Sequence, residues 1–308
     1  DSGANHVSCG WFATTDSGRL ILSRYVCASV SSGRSVGFAD LAVRMPSAGR
    51  CVLSLSAGPV SFRIVRIPDL DRRKRGRLIA FEARQAFPWP LAEVAWDHAI
   101  LGREGGDLNV LLGAARLDML TGMHAAAVAA GFNPERMEPG APAMYRCFDY
   151  NYPELAGVPC VLVHAGPREL LVMMVGEGSP SLRTASVPAG DSPDEGLPGM
   201  GERLHLEIAR VLATRRGSGV VRGVFLTGPG TSQPGLGPWL EKRLGLPVDK
   251  LDALRRVEVA DPTAGSPDLD APGLVALVGL VAPAGSAAVS LDLTPPLMKR
   301  AREARRRR

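Results

Sequence analysis

Residues Gly223-Val224-Phe225-Leu226-Thr227-Gly228-Pro229-Gly230-Thr231, followed by Gly235-Leu236-Gly237-Pro238-Trp239-Leu240-Glu241-Lys242-Arg243-Leu244-Gly245-Leu246-Pro247-Val248, decide how this chain folds. A short apolar run closes on a glycine turn. A helix then starts, ends at Gly245 and leads into another extended segment. That order reads as a buried strand feeding a helix whose free N-terminal N–H groups face the turn. Such a turn can cradle a phosphate. Here Pro229 removes one backbone donor and fixes the local φ, so the element reads as a blunted nucleotide turn.

Working outward, 308 residues are enough for about two domains with a large core. A hydrophobic content of 45% and a mean hydropathy of +0.05 fit a globular chain rather than a disordered one. No apolar run reaches the roughly 18 residues of a membrane span, and a soluble chain is expected. Cys9, Cys27, Cys51, Cys147 and Cys160 show no CxxC spacing, which suits thiols in a reducing cytoplasm better than a disulfide framework. No signal peptide is read at the start, and upstream residues are expected before Asp1. The net charge of +5 is misleading, because Lys299 to Arg308 alone carries a net +6 and the rest a net −1. A basic block of this kind reads as a solvated tail, a nucleic-acid arm or a juxtamembrane segment. A nucleic-acid domain usually spreads its charge over a folded face, so no nucleic-acid partner is expected.

Residues 6–14 and 19–30 read as a β-hairpin, and 50–56 and 60–67 as two more strands. A helix is expected over 71–86, stopped by Pro88-Trp89-Pro90, then strands over 94–101 and 108–115 and a helix over 117–130. Residues 160–164 and 170–175 read as strands, 191–201 as a loop, 202–214 as a helix and 273–281 as a helix or strand. Gly33-Arg34-Ser35-Val36-Gly37 matches the Gly-x-Ser-x-Gly pattern of hydrolase elbows, but a loop serine is the plainer reading of Ser35. The histidines (His6, His98, His124, His164, His205) lack metal-ligand spacing, and no metal site is expected. The run Arg72, Arg73, Lys74, Arg75, Arg77 reads as a solvated helix start without interleaved aromatics for base stacking.

Three blocks resemble one family in order along the chain. Phe81-Glu82-Ala83-Arg84-Gln85-Ala86-Phe87-Pro88-Trp89-Pro90-Leu91-Ala92-Glu93-Val94-Ala95-Trp96-Asp97 resembles a helix-end signature of PilM, the actin-like protein of type IV pilus assembly. Leu111-Leu112-Gly113-Ala114-Ala115-Arg116 with the helix ending Ala129-Ala130-Gly131-Phe132 is similar to the next block, and the glycine-turn stretch to the third. The resemblance implies an α/β, actin-like (ribonuclease H-like) two-lobed fold with an inserted α+β subdomain. The expected division is 1–49 plus 132–157, an insertion at 50–131, a second lobe at 158–289, and a docking peptide with basic tail at 290–308.

In that family two Asp-x-Gly hairpins clasp phosphates and hydrated Mg²⁺. Asp1-Ser2-Gly3 fits the first, and the second falls at His164-Ala165-Gly166, where imidazole cannot replace a carboxylate for a hard cation. His164 could still hydrogen-bond an anion, though an ordinary strand-end residue is the blander reading. If ATP and Mg²⁺ bind, Asp1, Gly3, Gly228, Gly230 and Thr231 are the implied contacts; otherwise no cofactor and no catalytic residue is expected.

Ser290-Leu291-Asp292-Leu293-Thr294-Pro295-Pro296 resembles the N-terminal peptide by which the membrane partner PilN docks onto PilM. It is also similar to the corresponding position in the type II secretion L-protein. The resemblance implies a fusion in which Leu291, Leu293 and Pro295 dock and Arg305, Arg306, Arg307 and Arg308 face anionic inner-membrane lipid. A disordered linker is the alternative for this segment. The implied role is a scaffold at the cytoplasmic face of the bacterial inner membrane, coupling PilN/PilO-like or secretion-platform subunits to a motor ATPase. Two rivals are an active actin-like ATPase or kinase-like enzyme, and a hydrolase using Ser35.

Overall fold

Asp107–Arg116 is apolar on both faces, which is the pattern of a strand covered on both sides rather than of a half-exposed one. In the computed structural model it is the middle strand of an antiparallel sheet. The structure describes residues 6–30, 34–45, 50–56, 58–167, 169–177, 181–187, 196–214, 219–260, 267, 271, 273–283 and 289–300. In chain order the elements begin with β1 (His6–Thr14), β2 (Leu20–Ser29), α1 (Arg34–Arg44), β3 (Arg50–Leu55), β4 (Ser61–Pro68) and α2 (Arg72–Ala86). Next come β5 (Val94–Glu104), β6 (Asp107–Arg116), α3 (Leu117–Ala129), β7 (Asn133–Pro139) and α4 (Gly140–Asn151). The remainder is β8 (Cys160–Ala165), β9 (Glu169–Val175), β10 (Ser181–Ser186), α5 (Gly196–Ala213), β11 (Val224–Thr227), α6 (Leu236–Leu244), β12 (Val248–Lys250), β13 (Glu258–Val259) and α7 (Leu274–Val281).

The chain divides into two units: Asp1–Cys9 with Val26–Pro142 and Val289–Arg308, and Gly10–Tyr25 with Ala143–Ala288. In the first, β4, β6 and β5 form an antiparallel sheet in that order. α2 lies on one face of it. Asp71 caps the helix by accepting from the Arg73 and Lys74 amides, and Phe87 turns extended before Pro88. Ile79, Ala83 and Phe87 pack there against Ile67, Val94, Leu108, Val110, Leu112 and Ala114. The alternate residues of β6, Leu111, Gly113 and Ala115, point to the opposite face. β3 pairs in parallel with β7, and among the described residues β7 has no other strand partner. Phe38 of α1 meets Phe132 edge-on at 6.2 Å between ring centroids.

In the second unit the strand order is β10-β9-β8-β11-β12, with β8, β11 and β12 parallel and β9 and β10 antiparallel additions. Leu204, Ile208 and Val211 of α5 and Leu236 and Leu240 of α6 cover one face. Phe148 and Tyr152 cover the other, each about 5 Å from the Phe225 ring. α7 crosses α4 so closely that a Cβ on Gly279 would lie 1.7 Å from the Ala143 carbonyl oxygen. Arg146 donates to the Gly279 carbonyl at 2.7 Å.

Several elements differ from the expectations. Residues 34–37 of the Gly-x-Ser-x-Gly stretch open α1 and place Gly37 inside a helix, where its missing side chain makes room for Val30 and Val7. Ser35 is the second residue of that helix, and residues 31–33, where the turn of an elbow would fall, lie outside the described residues. α5 starts at Gly196, inside the stretch read as a loop, with Pro198 in its first turn, where a missing N–H costs nothing. β7 and α4 were not foreseen, and residues 273–281 resolve as the helix α7 after Gly273 at φ +74°.

Candidate functional site

Two places carry the expected site residues. The first is the glycine turn of the second unit. β11 delivers Thr227 to Gly228 at φ +91°, and Pro229–Thr231 form one turn of 3-10 helix. A Cβ on Gly228 would stand 2.6 Å from the Ala165 carbonyl oxygen and 2.8 Å from the His164 ring. One on Gly230 would stand 2.9 Å from the Ala165 Cβ. The glycines are thus required by the approach of the end of β8, with His164 laddered beside Thr227. Gly228, Gly230 and Thr231 are brought together with His164-Ala165-Gly166. Asp1 and Gly3 lie outside the described residues.

What this turn can do follows from its donors. The Thr231 amide donates to the Gly228 carbonyl at 3.0 Å, as does the Thr231 hydroxyl at 2.8 Å, and the Ser232 amide donates to Pro229 at 3.2 Å. Pro229 has no amide to give. Lys250 Nζ reaches the Thr231 hydroxyl at 3.4 Å, and His164 Nε2 lies 3.9 Å from Glu169 Oε1. The Thr231 and Ser232 amides are spent on closing the turn and Pro229 adds none, which leaves the turn fewer donors than a phosphate cradle of free N–H groups uses. Among the described residues no group of three His, Cys, Asp or Glu side chains could hold a metal ion.

The second place belongs to the first unit and is built around residues 289–295. The cross-strand row Phe62, Gly113, Asp97 runs over β4, β6 and β5 and makes a notch at the glycine. Leu291 fills it: a Cβ on Gly113 would lie 2.7 Å from Leu291 Cδ1. The Asp292 amide donates to Asp97 Oδ2 at 2.9 Å. On the other side the segment runs along the open edge of β7. The Leu293 amide donates to the Met137 carbonyl at 2.8 Å, and the Met137 amide donates to the Thr294 hydroxyl at 2.9 Å. The Ser290 hydroxyl donates to buried Glu138 at 3.1 Å and accepts from Arg136 at 2.9 Å. Leu291 and Leu293 are 0% exposed, and Pro295 is buried.

Asp292 ties the segment to itself and to the residues after it. Its carboxylate accepts from the Thr294 amide at 3.0 Å and the Thr294 hydroxyl at 2.5 Å, and faces Lys299 Nζ at 3.7 Å. Burial pushes this carboxyl upward, but the Thr294 bonds, Lys299 and Arg136 outweigh it and hold it below its ordinary value. Asp97, Gly113 and Met137 were not singled out from sequence as site residues. A glycine inside an apolar strand is the one signal that could have found Gly113, since it marks close approach of another segment. Leu297 is 78% exposed, and Arg305, Arg306, Arg307 and Arg308 lie outside the described residues.

No family model matches the chain, and no curated protein matches it in sequence. Its structure is similar to a solved chain of a PilM-PilN type IV pilus biogenesis complex, with a TM-score of 0.75, 17% identity, and coverage of 91% of this chain and 95% of that one. It is also similar, with a TM-score of 0.48 and 12% identity, to the cytoplasmic domain of EpsL, an inner membrane component of the type II secretion system of Vibrio cholerae, covering 91% and 90% of the two chains. A Bacteroides thetaiotaomicron protein with actin-like ATPase fold and unknown function follows at 0.46 and 10% identity, covering 87% and 90%. The assignment rests on the first of these likenesses: the chain has the actin-like fold of the PilM type that its sequence resembles.

Proposed function

We propose that the protein is a scaffold domain of a type IV pilus or type II secretion assembly, working at the cytoplasmic face of the inner membrane and carrying its docking peptide on its own chain. Leu291, Leu293 and Pro295 are the docking residues. Through them whatever follows residue 300 is fastened to the first unit, which couples PilN/PilO-like or platform subunits to a cytoplasmic motor. Arg305 to Arg308 lie next to anionic lipid in this reading.

The observation that carries it is the extended segment 289–295 seated on β7 and in the Gly113 notch with both leucines buried. Main-chain bonds along an open strand edge, with alternate side chains in pockets, are the physics of peptide recognition by strand addition. In this reading the protein turns over no ATP, because Pro229 has no amide to give and the Thr231 and Ser232 amides are spent on closing the turn.

A synthetic peptide of residues 287–297 tests the docking. Added to L291A/L293A it should bind the vacated groove, whereas the wild-type chain, already filled, should not take it. A variant groove that ignores the peptide would contradict the reading. The rival, an actin-like ATPase or kinase-like enzyme, requires Mg-ATP to stabilise the fold by about 2.7 kcal/mol at 100 times its dissociation constant. No thermal shift is expected here. A clear shift accompanied by phosphate release would replace the scaffold with the enzyme.

A further inference from the structure

α2 breaks a local rule in a way its packing does not explain. Its first turn holds Arg72, Arg73, Lys74 and Arg75 with no acidic residue, although the positive end of a helix disfavours cations. Departures of this kind concentrate where function requires them. Asp71 already caps the Arg73 and Lys74 amides, so these donors are not free for a discrete anion. The charge is displayed along a convex face instead.

That face is opposite the one buried on the sheet. At about 100° per residue, Arg73, Arg84, Arg77 and Phe81 fall within roughly 80° of arc and about 16 Å of helix length. All four are exposed, Phe81 by 51%. The carboxylates near the helix start are taken elsewhere: Asp71 faces Lys74 at 3.5 Å, and Asp69 pairs with Arg75 and Arg103. Arg73, Arg77 and Arg84 meet no carboxylate within ion-pair distance among the described residues. No side chain of opposite charge interrupts the row, because Glu82 lies toward the flank of the helix.

From this we infer that the outward face of α2 is a contact surface for an anionic phospholipid bilayer, with Arg73, Arg77 and Arg84 against headgroups and Phe81 at the interface. An acid-free cationic face with one aromatic among the arginines is complementary to an extended anionic surface. A single aromatic offers no run of platforms for successive bases, which disfavours a single-stranded nucleic acid. The inference adds a second membrane contact to the proposed function and stands on α2 alone; peptide docking is measured without lipid, so the two can fail separately.

Pelleting of the full chain with phosphatidylcholine vesicles, with and without about one-third phosphatidylglycerol, tests it. The wild-type chain should bind the anionic vesicles only and lose binding in high salt. R73Q/R77Q/R84Q should lower the partition coefficient by at least about tenfold, and F81S by about threefold. R77Q/R84Q leaves the first turn untouched and must also lose binding, which separates lipid contact from any change in folding, itself read from Tm. The inference is overturned if these variants pellet like wild type while R305Q/R306Q/R307Q/R308Q alone carries the loss. It is equally overturned if the chain ignores phosphatidylglycerol but binds an acidic peptide or duplex DNA through α2.

Discussion

The glycine turn at Gly228 and the glycine notch at Gly113 look alike in sequence, each a small residue closing an apolar strand or interrupting it. In the fold they do opposite things. At Gly228 the missing side chain lets the chain pack against itself, since Ala165 and His164 of β8 occupy the space. At Gly113 it lets another segment in, since Leu291 occupies the space. One glycine closes a surface and the other opens one. A glycine therefore identifies a site only when what approaches it is known.

The largest effect should come from emptying the notch. Each buried leucine cut to alanine costs about 2–5 kcal/mol, so L291A/L293A should free the tail and raise tryptic cleavage at Lys299 more than about tenfold. A variant as protease-resistant as wild type would remove the distinction between the two glycines. Next in size is Gly228→Ala. It forces a side chain into φ +91° and onto a carbonyl oxygen 2.6 Å away, at a cost of about 1–3 kcal/mol. Slower exchange protection should be lost in the second unit. If Gly228→Ala is tolerated structurally but abolishes binding of a nucleotide, the turn is an open site after all.

The smallest effect sharpens the comparison through pH. Asp292 is held below its ordinary value of 3.8, so its contribution to docking is fully present above that value and fades as pH falls through the lowered one. Tail protection should hold from neutrality to about pH 4 and weaken below it, and Asp292→Asn should remove that dependence. A pH dependence unchanged in the Asn variant would assign it to another group.

Much of this was readable from residue order. Asp71 and Pro88 fix both ends of α2, the apolar run into Gly228 fixes β11 and its turn, and the alternating leucines before Pro295 mark an extended peptide. The stretch 133–151 was not readable. Pro134, Pro139 and Pro142 look like breakers, yet β7 pairs with β3 alone among the described residues and Pro142 falls in the first turn of α4, where prolines are tolerated. α1 was hidden by a motif match. The notch was hidden for a different reason: Asp97, Gly113 and Met137 are far apart in sequence, and only strand register aligns the first two across one row.

Amide hydrogen exchange over residues 289–295 of the intact chain tests the central claim most directly. The Leu293 amide, bonded to the Met137 carbonyl at 2.8 Å, and the Asp292 amide, bonded to Asp97 at 2.9 Å, should exchange as slowly as the amides of β7. L291A/L293A should release both to the rate of a free peptide. Free-peptide exchange in the wild-type chain would mean that the tail is not docked on its own unit, and the scaffold account would lose its foundation.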